Sequence, residues 1–272
     1  MKIFISVDME GIWGLSAKGH VSKESNEYSR TRSLMLQETN WAIEALFKNG
    51  ATEVVVNDSH DSMDNIMIEG LDPRASLITG QFKPFSMMEG IDETFDGVMF
   101  IGYHSRMGTE NGIYNHTYSG KTIEKIIING KELGEAGINA GVAGYYGVPI
   151  LVVSGDDKLA LQIKEEIGDV EAIVVKKAIS RFCAHNIPMN SVKEQYCSII
   201  EKAIKNITQY PVLTYEGEIN IEVTYNMEIM AEQATLIPGV IRKNPKTIVI
   251  SSSDYISLFK LFRGCLILGG SI

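Results

Sequence analysis

The chain has 272 residues, and 44% of them are hydrophobic, which is enough for one large or two modest globular domains with a substantial core. The formal net charge is −9, and no Lys/Arg cluster has the density that a phosphate backbone requires, so we expect no nucleic-acid partner. The 3 cysteines show no CxxC spacing, which argues against a disulfide framework or a thiolate zinc site and favours a cytoplasmic protein. We also expect no membrane partner, because no apolar stretch is long enough to span a bilayer.

The first two thirds of the chain alternate between short β-branched runs and helical patterns. The predicted strands cover residues 2–7, 53–57, 75–78, 97–103, 149–154 and 171–175. Between the first two runs, apolar residues at helical spacing predict a long helix that stops at Gly50. Because the runs are continuously apolar and alternate with helices, they predict an α/β fold with an open, mainly parallel sheet sandwiched by helices.

A hairpin and a glycine-rich helix are predicted in the middle of the chain. Asn129 and Gly130 stand between two strand-like runs, which is the strongest short signal for a β-hairpin. The stretch GEAGINAGVAGYYG follows, and its glycines do not form a GxGxxG motif. They indicate close helix packing, with a dinucleotide site as the alternative.

The pattern changes near Pro211. Beyond it, the predicted strands cover residues 212–214, 219–223 and 247–250, and the predicted helices cover residues 227–236 and 255–268. We therefore expect a larger α/β domain over residues 1–208 and a smaller α+β domain over residues 209–272.

Two carboxylates end the first predicted strand, in the stretch ISVDMEGIWG. Asp8 and Glu10 are separated by one residue, so on an extended backbone their side chains point the same way and repel each other. The first strand of an open α/β sheet is usually central, and its carboxyl end opens on the crevice where such sheets bind ligands. The charge of the pair therefore needs a compensating partner at that crevice.

Neighbouring strands bring further polar groups to the same edge. The run VVVNDSH ends in Asp58 and His60, and the run VMFIGYH ends in His104. Imidazole and carboxylate together suit a borderline divalent metal such as zinc, and several carboxylates allow one of them to bridge two ions. The sequence therefore predicts a metal site, which would offset the repulsion between the first two acids.

Structural roles remain open for several of these acids. Asp58 is either a cap or loop hydrogen bonder, or it orients His60. The helix dipole favours Glu135 at the start of a helix whatever its function. Asp156 and Asp157 are expected to cap the next helix, with a supporting role at the crevice as the alternative.

His116 lies in the polar, glycine-bearing loop GTENGIYNHTYSG, which follows His104 and can reach over the same edge. A loop of this composition on a rigid scaffold is a usual place for reactive groups, and a neutral imidazole is suited to move protons near pH 7. The alternative is an ordinary solvent-facing histidine.

These motifs resemble the zinc-dependent D-aminopeptidase family associated with bacterial dipeptide-transport operons. The resemblance runs over nearly the whole chain and rests on SVDMEGI, VVVNDSH, KPFSMMEG, IGYH, the His116 loop, GE followed by GINA and VAGYY, VSGDD and LIPG. It implies an α/β metal-binding domain, two zinc ions per subunit, and a homodecamer of two pentameric rings whose active sites face an internal chamber. The chain departs from the family's sequence pattern in loops and in its C-terminal part. The resemblance therefore says less about size selectivity and assembly than about the zinc site.

The resemblance also implies a role for each site residue. Asp8 would be a ligand shared by both zinc ions, Glu10 and His60 would complete the first site, and His104 and Glu135 would complete the second. His116 would be the catalytic histidine, either as nucleophile or as proton-transfer group.

The activity implied by the resemblance is hydrolysis of the first peptide bond of a short peptide that begins with a D-amino acid. Two other functions remain open from the residues. One is a different dinuclear metal hydrolase such as a phosphoesterase, although no Arg or glycine-rich anion cradle is evident near the strand ends. The other is a non-catalytic binding module in which the acids pair with polar groups of a nucleotide or sugar.

Overall fold

The computed structural model describes residues 1–272 and contains six α-helices and two β-sheets. The helices are α1 (Tyr28–Lys48), α2 (Glu135–Tyr145), α3 (Asp157–Glu166), α4 (Met189–Lys205), α5 (Glu228–Ala234) and α6 (Tyr255–Gly269). The strands are β1 (Lys2–Val7), β2 (Glu53–Asp58), β3 (Ser76–Ile78), β4 (Gly97–Ile101), β5 (Ile123–Ile128), β6 (Lys131–Glu132), β7 (Ile150–Asp156), β8 (Glu171–Ser180), β9 (Cys183–Asn186), β10 (Ile219–Tyr225), β11 (Ile241–Asn244) and β12 (Thr247–Ser252). No helix is both long and apolar enough to cross a membrane.

The larger sheet has seven strands in the order β3-β2-β1-β4-β7-β8-β9. All neighbours are parallel except β9, which runs antiparallel to β8. Val7 at the end of β1 pairs with Asp58 on one side and Ile101 on the other, so the carboxyl ends of three adjacent strands lie together. The predicted α/β fold with a mainly parallel sheet between helices is confirmed.

Both faces of this sheet are buried, as continuously apolar strands require. Ile3 and Ile5 belong to the hydrophobic cluster that includes α1 and α4. Phe4 points to the opposite face and belongs to the cluster that includes α2, α3 and α6. This period-2 alternation in β1 explains how one apolar run supports two cores.

The smaller sheet is antiparallel and has the order β11-β12-β10-β5-β6. Its β5–β6 hairpin turns at Asn129 and Gly130, whose φ angles are 48° and 82°, so the predicted hairpin is confirmed. β10 pairs with β5, and the C-terminal strands therefore share a sheet with a segment that precedes residue 209. The division of the chain between residues 208 and 209 stays a prediction.

Several predicted strands differ from the structure, and the largest extension is in β8, which runs to Ser180 rather than ending at residue 175. β4 ends at Ile101 rather than at residue 103, because Gly102 adopts a φ of 69° that a strand does not accommodate. Residues 212–214 form no strand. That segment lies against α2 instead, where a side chain at Gly144 would collide with the carbonyl oxygen of Leu213. Gly144 thus permits close packing against α2, as the sequence analysis predicted for the glycines of this helix.

Candidate metal centre

The structure brings the predicted site residues together at the carboxyl edge of β1, β2 and β4. Asp8 and Glu10 follow β1, His60 follows β2, His104 follows β4, Glu135 is the first residue of α2, and His116 lies in the loop between β4 and β5. Five of the six residues are buried, and His116 is partly buried. The turn after β1 is held against the end of β4, since the Asp8 N–H donates to the Ile101 carbonyl at 2.8 Å.

Asp8 lies between two histidines and directs one carboxylate oxygen to each. Its Oδ1 atom is 3.3 Å from His60 Nδ1, and its Oδ2 atom is 3.4 Å from His104 Nε2. Glu10 Oε2 lies 2.9 Å from His60 Nδ1, and Glu135 Oε1 lies 3.4 Å from His104 Nε2. The cluster therefore has two halves that meet at Asp8.

Backbone carbonyls orient two of the imidazole rings. The Nδ1 atom of His104 lies 3.0 Å from the Ser105 carbonyl oxygen, and that of His116 lies 2.7 Å from the Tyr114 carbonyl oxygen. Each Nδ1–H donates to its carbonyl, so Nε2 is the ring nitrogen that faces the cluster. This is the orientation that a histidine needs to bind a metal or to accept a proton.

His116 stacks on His104, with ring centroids 4.0 Å apart and an interplanar angle of 12°. Its Nε2 atom is 3.7 Å from Glu135 Oε1. Burial, followed by the neighbouring His104, lowers the pKa of His116, so this imidazole favours its neutral form.

Burial and neighbouring charges set the pKa values of Asp8, His104 and His60. Burial, followed by the charge of Glu10, raises the pKa of Asp8 to about 7. Burial alone would lower the pKa of His104, but the carboxylates of Glu135 and Asp8 raise it to about 10. Glu10 and Asp8 likewise overcome burial and raise the pKa of His60 well above its usual value. Protons thus balance the acids in the cation-free protein, and a metal ion would displace them.

Unpartnered atoms in the cluster show that it fits a cation. His60 Nε2, His104 Nε2 and Glu10 Oε2 are fully enclosed and lack a well-aligned hydrogen bond. Ligand atoms of Asp8, Glu10 and His104 lie within 4.8 Å of one another, as do those of His104, His116 and Glu135. Mixed imidazole and carboxylate donors beside a cavity of about 660 Å³ are the arrangement of metal-dependent hydrolases.

Asp58 lies outside the cluster and holds the loop that carries His60. Its carboxylate accepts hydrogen bonds from the N–H groups of Asn65 and Ile66, the second at 2.7 Å. The Asn65 side chain donates to the same carboxylate at 2.9 Å and to the His60 carbonyl at 2.7 Å. Of the two roles that the sequence left open, loop hydrogen bonding is the one that the structure shows.

Asp156 caps α3, as predicted, through hydrogen bonds from the N–H groups of Lys158 and Leu159 at 3.1 and 2.8 Å. Its other oxygen accepts the Ile113 N–H at 2.8 Å, which fixes the loop that leads to His116. The expected cap and the supporting role at the crevice are thus combined in one residue. Asp157 accepts the Ala178 N–H at 2.7 Å instead of capping the helix.

Two buried lysines support the site and were not singled out from the sequence. Lys176 in β8 is completely buried and donates to the carbonyls of Glu10, Ile12 and Leu15 at 2.7, 2.8 and 2.8 Å. Lys83 donates to Asn57 Oδ1 at 2.7 Å, at the end of β2. A lone lysine carries no local signal of burial, because its carbonyl partners come from distant segments.

Comparisons with known proteins agree with this site. A family model described as D-aminopeptidase matches residues 1–264. The chain is 38% identical over 261 residues to a D-aminopeptidase of Bacillus subtilis (strain 168), covering 96% of this chain and 94% of that relative. A solved structure, the Zn-dependent D-aminopeptidase DppA from Bacillus subtilis, described as a self-compartmentalizing protease, matches with a TM-score of 0.96 and 37% identity. That match covers 100% of this chain and 99% of the other.

The fold and the donor set thus define a metal-dependent hydrolase of the α/β class. More specifically, the chain belongs to the D-aminopeptidase family, and the resemblance carried by its sequence motifs is confirmed.

We predict that Asp58→Asn lowers the free energy of unfolding by about 1–3 kcal/mol, because the new amide group faces backbone N–H donors. Urea unfolding measures the loss, and amide hydrogen exchange should accelerate at Asn65 and Ile66. The matched control is Asp64→Asn at an exposed position of the same loop, with an expected change below about 0.5 kcal/mol. Equal stability of the two variants would contradict the role assigned to Asp58.

Proposed function

We propose that the chain is a zinc-dependent aminopeptidase that hydrolyses the first peptide bond of short peptides with an N-terminal D-amino acid. One observation carries the proposal, namely the buried cluster in which two histidine–carboxylate halves meet at Asp8. The family supports the activity, and the Zn-dependent relative supports the metal.

Two zinc ions per subunit fit the two halves of the cluster. Asp8 would be a ligand of both ions, because its two oxygens face opposite halves. Glu10 and His60 would complete the first site, and His104 and Glu135 would complete the second. Enclosed, unpartnered nitrogen and oxygen atoms in both halves support this assignment.

Bound zinc would supply Lewis acidity, which polarises a carbonyl oxygen and lowers the pKa of water. The chain itself supplies proton transfer and exclusion of bulk water. His116 is the catalytic histidine in this proposal, because its Nδ1–H is held by the Tyr114 carbonyl and its Nε2 faces the cluster. We assign it proton transfer: Nε2 accepts a proton from the attacking water and passes it to the departing amine of the peptide.

The proposed substrates are short peptides in the cytoplasm, and the proposed assembly is a homodecamer of two pentameric rings that encloses the active sites. The self-compartmentalizing relative supports an enclosed assembly. The exposed apolar side chains of Leu236 and Ile241 offer surface for contacts between subunits.

The most direct test compares D-Ala-D-Ala with L-Ala-L-Ala, each with and without a chelator. We expect hydrolysis of the D-dipeptide alone, complete loss of activity after metal removal, and recovery when zinc is added. p-Nitrophenyl phosphate serves as the control substrate for a phosphoesterase, and we expect no hydrolysis of it. Chelator-resistant activity, or hydrolysis of the phosphate ester in place of the peptide, would overturn the proposal.

Asp8→Ala should remove both zinc ions, because Asp8 is the one carboxylate within 4.0 Å of both His60 and His104. Elemental analysis by mass spectrometry should give about two ions per subunit before the substitution and close to none after it. Asp64→Ala, which removes an exposed carboxylate, should retain both ions. A retained single ion in Asp8→Ala would show that Asp8 serves only one half.

His116→Ala should reduce kcat by roughly 10²- to 10⁴-fold, which is the range for loss of a positioned acid–base group. Zinc content should not change, because His116 is assigned to proton transfer and not to binding. His185→Ala removes an exposed histidine and should retain full activity. Loss of one zinc ion from His116→Ala would instead identify this residue as a ligand, a role that its distance to His104 and Glu135 also permits.

A further inference from the structure

Arg263 of α6 lines the same cavity as four of the five proposed metal ligands, namely Asp8, Glu10, His60 and Glu135. The cavity has a volume of about 660 Å³, within the range of about 300–1,000 Å³ that is usual for small-molecule sites. The wall that contains Arg263 also contains Tyr118, Ser119 and Ile267. This arginine comes from the C-terminal helix, far from the site in sequence, and no motif indicated it.

The guanidinium group of Arg263 has no polar partner in the protein. Its Nε atom is fully enclosed without a hydrogen bond, and no carboxylate lies within ion-pair distance of the group. Its aromatic neighbour is Tyr118, whose ring centroid lies 5.9 Å from the central guanidinium carbon. Burial lowers the pKa of Arg263, which reflects the cost of holding an unpaired charge away from water. A planar, five-donor group in this state is suited to an anion that enters from outside.

The other cation on the cavity wall is already engaged. Lys83 donates to Asn57 Oδ1 at 2.7 Å, to the Asp58 carbonyl at 2.6 Å and to the Ile78 carbonyl at 3.2 Å. Its three donors therefore hold the end of β2 and are not available to a ligand. Arg263 is the cation of this cavity that has free donors.

Arg263 is close to the cluster without belonging to it. The Tyr118 N–H donates to Glu135 Oε1 at 2.6 Å, and the ring of the same tyrosine lies beside the guanidinium group. Tyr118 thus contacts both a proposed zinc ligand and Arg263. In a dipeptide, the free carboxylate lies about one residue, or ~3.8 Å, beyond the bond that is cut. Arg263 and four proposed ligands line one cavity, so a short peptide that is cut at the cluster can place its carboxylate beside α6.

We propose that Arg263 binds the free α-carboxylate of the substrate peptide through charge-assisted hydrogen bonds. The proposal rests on the peptidase function proposed above. It assigns the specificity of the site to both ends of the substrate, with the scissile bond at the cluster and the carboxylate at α6. Peptides whose carboxylate lies one residue beyond the scissile bond are then the preferred class, and peptides with a blocked carboxyl end are poor substrates.

The test compares D-Ala-D-Ala with its C-terminal amide, in which the same peptide bond is cut but the negative charge is absent. In the unaltered enzyme, kcat/KM should be about 10- to 100-fold higher for the free acid, as expected for one charge-assisted pair. Most of the difference should appear in KM. Arg263→Met should lower kcat/KM for the free acid by a similar factor and change kcat/KM for the amide by less than about 2-fold. Arg263→Lys should restore part of the preference for the free acid over the amide.

Controls separate this inference from the proposed function. D-Alanine p-nitroanilide has no carboxylate and should be hydrolysed equally by the unaltered enzyme and by Arg263→Met. Lys260→Met removes an exposed positive charge one turn earlier in α6 and should keep the preference for the free acid. Equal hydrolysis of acid and amide by the unaltered enzyme would overturn the role of Arg263 and leave the peptidase function standing. Failure to cut either D-peptide or the anilide would overturn the peptidase function itself.

Discussion

The repulsion among Asp8, Glu10 and Glu135 is the constraint on which the rest of the structure depends. All three carboxylates are buried in one cluster, where a low dielectric strengthens their repulsion and removes the water that would screen it. Three imidazoles face them, and protons balance the charge when no cation is bound. Divalent ions would balance it better, because each one carries two positive charges, displaces these protons and binds buried atoms that lack a hydrogen bond.

The parallel sheet brings these charges together, and the surrounding polar contacts keep them in place. Adjacent carboxyl ends of β1, β2 and β4 provide four of the six side chains, while the loop after β4 and the start of α2 provide the others. Lys176 holds the turn that carries Glu10, and Asp58 holds the loop that carries His60. Asp156 fixes the loop that leads to His116 while it caps α3. The site is therefore supported by rigid elements, as catalytic geometry requires.

The sequence pattern within short segments was enough to predict the parallel strands and the residues at their ends. Continuous apolar runs identified the parallel strands, and the position of Asp8, His60 and His104 at strand ends predicted their convergence. The pairing of distant strands could not be predicted in this way, since nothing in β5 shows that its partner is β10, some 90 residues later. Glu135 was supplied by family resemblance, because an acid that begins a helix is common. Arg263 and Lys176 reach the site only through tertiary packing, so no local spacing could have indicated them.

Anomalous diffraction from crystals of the zinc-supplemented protein, recorded on both sides of the zinc absorption edge, tests the central claim most directly. We predict two zinc peaks, both within about 2.0–2.3 Å of Asp8 oxygens, one next to His60 and the other next to His104. Absence of zinc from this cluster, or peaks that lie away from Asp8, would contradict the view that cations hold these buried acids together.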